Sequence, residues 1–155
     1  MTTDGQPLDL GILLALGYQE FVRALRDSLA AKGFDDLGRS DGYVLRALSG
    51  NPMTTSELAG RLEISKQGAG QIVEDMETRG YLQRLPDPDD GRSRLVRLSP
   101  RGRQALAAAR RFHQAYERRL VRAHGGEAVA ALRAVLVGMA GERNALDPRL
   151  RVLHW

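Results

Sequence analysis

The chain contains no cysteine, which excludes disulfides, thiolate metal sites and thiol-based redox sensing. It has no long apolar run either: the longest, Leu10 to Tyr18, is about half of the roughly 20 residues a membrane span needs. Met1 to Pro7 offers no basic region ahead of that run, so no secretory leader is expected, and its Gly5 and Pro7 suit a frayed end. Lysine is nearly absent, with only Lys32 and Lys66 among 23 basic residues; the arginine codons of a GC-rich genome account for that bias without functional selection. The patterns that carry catalysis are missing too. There is no Ser/His/Asp arrangement and no glycine-rich phosphate loop after a strand, and His113, His124 and His154 share no metal-ligand spacing. No enzymatic activity, cofactor, metal or membrane partner is expected, and the protein should be soluble and cytoplasmic.

What is present fits one domain. The 155 residues are 43% apolar, enough for a core, and the net charge of +4 with a pI near 9.9 has the sign a polyanion binder needs. The organising stretch runs from Met53 to Arg79. Thr54-x-x-Glu57 is a capping box opening a first short helix with Leu58, Ala59 and Leu62 on one side. Glu63 and Ile64 make a turn, and Ser65 is a good N-cap for a second helix. There Ala69, Ile72, Val73 and Met76 recur at i, i+3, i+4 and i+7, so that face must be buried. Gln67, Gln71 and Glu74 take the opposite face, with Lys66 at its N-terminal end. This is a helix-turn-helix pattern.

Gly80 can end the second helix in the left-handed conformation. Tyr81 to Leu85 alternates like a strand, Pro86 to Gly91 is dense turn chemistry, and Arg94 to Leu98 reads as a returning strand. The fold class is therefore mainly α (α+β): a winged helix-turn-helix with Arg92 near the wing tip, between flanking N- and C-terminal helices.

Ser56-Glu57-Leu58-Ala59, Ile64-Ser65-Lys66, Gly80-Tyr81-Leu82-x-Arg84, Asp90-Gly91-Arg92-Ser93 and Leu95-Val96-Arg97-Leu98-Ser99-x-x-Gly102, in this order and spacing, resemble the MarR family of bacterial transcription regulators. The resemblance covers nearly the whole chain, 1–155, as a single MarR-like domain. It implies a DNA-binding lobe at 36–99 and a dimerisation lobe built from 1–35 and 100–155. It also implies a ligand crevice between the lobes, lined by the first, second and fifth helices. One departure falls in the wing, where that family reads Asp-Arg-Arg and this chain has Gly91 at the first arginine. One contact goes with it, and Arg92 carries over.

The flanks follow helical periodicity. Leu10, Leu14, Tyr18, Phe21, Leu25 and Leu29 give a helix from Leu8 to about Ala31, with a stripe too broad for one small domain to bury, so a second chain should meet part of it. Lys32-Gly33 ends it, and Ser40 should cap a short helix holding Tyr43 to Leu48. Ser99-Pro100 starts a helix reaching about Ala123, with Leu106, Ala109, Phe112, Tyr116 and Leu120 on one face and a run of arginines on the other. Gly125-Gly126 breaks it before a last helix, Glu127 to about Glu142. The apolar tail with Leu150, Val152, Leu153 and Trp155 should dock on the helical lobe or on a partner subunit.

The candidate DNA contacts are Ser65, Lys66, Gln67, Gly70, Gln71, Arg92 and Arg94. Gln67 and Gln71 sit one turn apart and each offers the donor and acceptor that adenine's major-groove edge requires. Lys66 reaches phosphate or guanine, and Ser65 can cap the helix while donating to phosphate. Gly68 and Gly70 cost a helix about 1 kcal/mol each; close backbone approach to DNA and drift in a helix held by its neighbours explain them equally. Arg92 at the hairpin tip, with Arg94 beside it, suits the minor groove or a phosphate. Tyr18, Phe21, Tyr43, Phe112 and Tyr116 are the aromatics available to line the implied ligand crevice, although helical spacing serves a core equally well.

The expected partners are a pseudo-palindromic duplex operator, a second copy of the chain and a small-molecule effector. The expected activity is transcriptional regulation, by repression, released when the effector binds. The alternative is a winged-helix protein-interaction module without a ligand, since fold alone does not decide function.

Overall fold

A computed structural model of the chain describes residues 7–141. The apolar tail and its expected docking lie outside the described residues. The chain forms two compact units, residues 1–35 and 36–155.

The first unit is one helix, α1 (Leu10–Ala30). It closes through Gly33, whose φ of 83° lets the Phe34 amide return to the Leu29 carbonyl at 3.0 Å. Leu10, Ile12, Leu13, Leu16 and Tyr18 stay exposed along it.

The second unit begins with α2 (Asp41–Ala47), β1 (Met53–Thr54), α3 (Thr55–Leu62) and α4 (Lys66–Thr78). It continues with β2 (Leu82–Pro86), β3 (Arg94–Leu98), α5 (Pro100–His124) and α6 (Gly126–Ala140). The three strands make one antiparallel sheet in the order β1-β3-β2. Met53 pairs with Val96 and Arg84 with that same residue from the other side. The two-residue strand β1 carries no period of its own and was not expected from the sequence.

Local chemistry sets the element ends. Glu57 donates its backbone N–H to Thr54 Oγ1 at 3.2 Å while its carboxylate accepts the Thr54 N–H at 2.7 Å, which completes the capping box. The Thr54 N–H and the Thr54 hydroxyl, both donating to that carboxylate, hold the Glu57 carboxyl below its ordinary value. Glu63 takes the left-handed conformation that turns α3 toward α4. Ser65 Oγ then accepts the Gly68 N–H at 3.0 Å. Ser99 does the same for Gly102 at 3.0 Å and donates its hydroxyl to the Gly80 carbonyl at 2.5 Å, so one serine caps α5 and ties it to the end of α4. Ser40 departs from expectation. It stands at the N-cap of α2 but makes no side-chain capping bond. Asp41 folds back instead and accepts the Gly38 N–H at 2.6 Å.

The core gathers Val44 and Leu45 from α2, Leu58 from α3, Ala69, Val73 and Met76 from α4, Tyr81 after it, Val96 from β3, and Ala105 and Ala108 from α5. Burial of side chains this size stabilises by about 1.5–3 kcal/mol each for the larger apolar ones. Ile72, expected with that face of α4, is half-buried at its margin. The far half of α5 and all of α6 behave differently: no residue of α6 is buried, and Leu132, Val135, Leu136, Val137 and Met139 are exposed.

Candidate nucleic-acid interface

The helix α4 is held from one side only. Its buried stripe of Ala69, Val73 and Met76 leaves Lys66, Gln67, Gln71 and Glu74 exposed on the other. Among the described residues nothing hydrogen-bonds the two glutamine amides, so their donors and acceptors face outward. Ser65 is exposed as well and spends its oxygen lone pair on the Gly68 N–H, which leaves its hydroxyl proton to donate.

The two glycines of this helix separate here. A Cβ on Gly68 would sit 3.1 Å from Ser65 Oγ, a tight contact with the capping oxygen. A Cβ on Gly70 would meet nothing within 4 Å. The fold makes no demand for glycine at 70, and its bare backbone lies beside Gln71 on the helix.

The wing is the β2–β3 hairpin. Asp87 Oδ1 accepts the Asp89 N–H, and Asp90 Oδ1 accepts the Arg92 N–H, both at 3.0 Å, so the acidic residues shape the tip. Arg92 and Arg94 are exposed on it. Arg97 turns back across the hairpin to donate to Gln83 Oε1 at 3.3 Å. Arg103, near the base, donates to the Leu98 carbonyl at 3.0 Å.

Behind α4 lies a polar cluster that sequence reasoning missed. The Tyr81 ring is buried, its hydroxyl donates to Asp36 Oδ1, and Arg101 donates to that hydroxyl at 3.1 Å and to Asp36 at 3.2 Å. The Arg101 guanidinium also lies 4.7 Å from the ring centroid, a cation–π contact. Against the upward push of burial, the Tyr81 hydroxyl and Arg101 hold the Asp36 carboxyl below its ordinary value. Burial, then the bond to Asp36, pushes the Tyr81 phenol up. Arg79 forks between Asp41, Asp75 and the Asp36 carbonyl. Partners some 40 positions apart leave no periodic trace in a sequence; the nearest clue was the basic residue just before Gly80.

Of the aromatics considered for a ligand, Phe112 and Tyr116 are adjacent on α5 with ring centroids 5.5 Å apart, and Arg119 lies 4.5 Å over the Tyr116 ring. Tyr43 is half-buried on α2, Phe21 is half-buried and Tyr18 exposed on α1. A groove of about 370 Å³ lies elsewhere, between α5 and α6, lined by Val121, Val129 and Val137 with Glu117 and Arg133 paired at 2.6 Å. A second, of about 380 Å³, runs along the first half of α5 past Arg103, Arg110 and Arg111. His113 on α5 is pushed below its ordinary value by burial and by the charge of Arg46. Among the described residues no helix is long and apolar enough to cross a membrane.

Two short helices, an outward amide-bearing face and a basic hairpin define a winged helix-turn-helix protein. Residues 35–93 match the sequence model of the MarR family. The chain is 28% identical over 119 residues to the exopolysaccharide II synthesis transcriptional activator ExpG of Rhizobium meliloti, covering 77% of this chain and 60% of that protein's length. Among solved structures, a probable transcriptional regulator from Pseudomonas aeruginosa superposes with a TM-score of 0.62 at 27% identity, over 84% of this chain and 96% of the other. A mutant MarR from E. coli complexed with operator DNA gives 0.65 at 23%, over 85% and 94%.

Proposed function

We propose that this protein is a sequence-specific, double-stranded DNA-binding transcriptional regulator that works in the cytoplasm as a homodimer. One observation carries the reading: Lys66, Gln67 and Gln71 stand exposed together at the N-terminal half of a helix whose other side is core. That is the arrangement by which a recognition helix reads base edges in a major groove. Arg92 and Arg94 on the wing supply phosphate or minor-groove contacts beside it, Ser65 donates to phosphate, and Gly70 lets the backbone approach. The MarR relative was solved with operator DNA, which supports carrying the same use to this chain.

The homodimer rests on α6. Leu132, Val135, Leu136 and Met139 repeat at i, i+3, i+4 and i+7 and are 42–63% exposed, an apolar stripe that a second copy would cover. Two recognition helices held at about 34–36 Å would then read a pseudo-palindromic operator. Covering a promoter in this way represses it. The named role of the Rhizobium relative, transcriptional activator, favours activation as the second reading, from the same DNA contacts. An effector would release DNA only by binding better to a dimer of a different helix separation.

Gel-shift titration of a duplex enriched by the protein from a randomised pool tests the assignment. Gln71→Ala is expected to lose about 1–3 kcal/mol of discrimination at one base position. Arg92→Ala is expected to weaken selected and shuffled duplexes alike and to lower the salt slope by about one. Unchanged affinity of Arg92→Ala at physiological salt would remove the wing contact. Failure of the wild-type protein to bind any duplex at low salt would favour a protein-interaction module.

A further inference from the structure

We propose that Arg79 and Asp41 form a positioning pair that sets the angle at which α4 offers Lys66, Gln67 and Gln71 to DNA; this rests on the DNA-binding reading above. Arg79 is the C-cap of α4. Its guanidinium donates to the Asp41 carboxylate at 2.7 Å and to the Asp36 carbonyl from one nitrogen, and to Asp75 on its own helix from another. Asp41 is 4% exposed, and the same carboxylate oxygen accepts the Gly38 N–H. The end of the helix is thereby locked in two directions to the segment from Asp36 to Asp41.

A buried charge pair of this kind is weak evidence for stability, because desolvation cancels much of its attraction; fixing one geometry among several is its better-attested use. A planar guanidinium bonding three acceptors fixes orientation as well as distance, which a lysine ammonium cannot do. The leverage is large. Lys66 lies about 20 Å from Arg79 along the helix axis, so a tilt of about 5° at Arg79 moves it by roughly 2 Å. Base-edge hydrogen bonds tolerate only a few tenths of that.

The test compares binding to the duplex enriched by the wild-type protein with binding to a shuffled duplex of the same composition. Arg79→Gln and Asp41→Asn are each expected to lower the ratio of the two affinities at least tenfold, with the salt slope unchanged, since Arg79 spends its donors inside the fold. The double variant is expected to lose no more than either single one. A purely structural role would lower both affinities together and leave the ratio alone. Arg79→Lys, which keeps a cation beside Asp41, gives a second reading if the glutamine variant does not fold; its expected ratio is at least threefold below wild type. A ratio within twofold of wild type in any folded variant, or a reduced salt slope, overturns the pair as a positioning device. A wild-type protein that enriches no duplex overturns the DNA-binding reading itself and the pair with it.

Discussion

Gly102→Ala is expected to cost the fold about 2 kcal/mol net, read as a lowered urea midpoint with an unchanged slope. A Cβ at this position would press into the Tyr81 carbonyl oxygen, 3.2 Å from its carbon and 3.5 Å from Leu98 Cβ. That oxygen cannot swing aside as a side chain would, because it accepts the Ser99 N–H at 2.9 Å in the junction between β3 and α5. Overpacking costs typically about 1–3 kcal/mol, and here the obstacle is backbone; the helix propensity of alanine returns about 1 kcal/mol of the loss. Gly70→Ala is the contrasting case. With nothing near the added carbon, it is expected to stabilise the free protein by up to about 1 kcal/mol while weakening DNA binding. Equal stability of Gly102→Ala and wild type would mean that the backbone at the α5 junction yields to the added carbon.

Leu132→Glu combined with Leu136→Glu is expected to turn the protein monomeric, as measured by analytical ultracentrifugation, and to lower affinity for an enriched duplex at least a hundredfold. The two leucines are 47% and 42% exposed, so the single chain loses little when they change. The change falls on both copies, so a dimer loses four leucines; each, already about half covered in the single chain, contributes about 1 kcal/mol there, and the four carboxylates put in their place add a desolvation cost. A total near 4 kcal/mol corresponds to roughly a thousandfold in dimer dissociation. A wild-type protein that sediments as a monomer at micromolar concentration would remove the homodimer, and a variant that stays dimeric would move the interface away from α6.

The parts of this fold that could be read from the sequence are the local ones. Thr54 with Glu57, Ser65 with Gly68, Ser99 with Gly102, and Gly80 at its positive φ each act within a few residues. The period of Ala69, Val73 and Met76 gave the buried side of α4 and, by elimination, its outward amides. Ser40 looked like a cap because its type suits one, yet it makes no side-chain capping bond, and the local side-chain bond is the one Asp41 accepts from the Gly38 N–H. The strand β1 is too short to have a period. The Asp36, Tyr81 and Arg101 cluster joins positions 45 and 65 apart, a closure that only the tertiary fold brings about.

The exposed side of α4 can be interrogated directly by placing a photo-crosslinking side chain at Gln71 and, as a control, at Arg118 on the far part of α5. Irradiation with an enriched duplex is expected to join position 71 to bases at two places about 10 base pairs apart, and position 118 to none. Crosslinking from 118 with silence from 71 would contradict a nucleic-acid-facing α4.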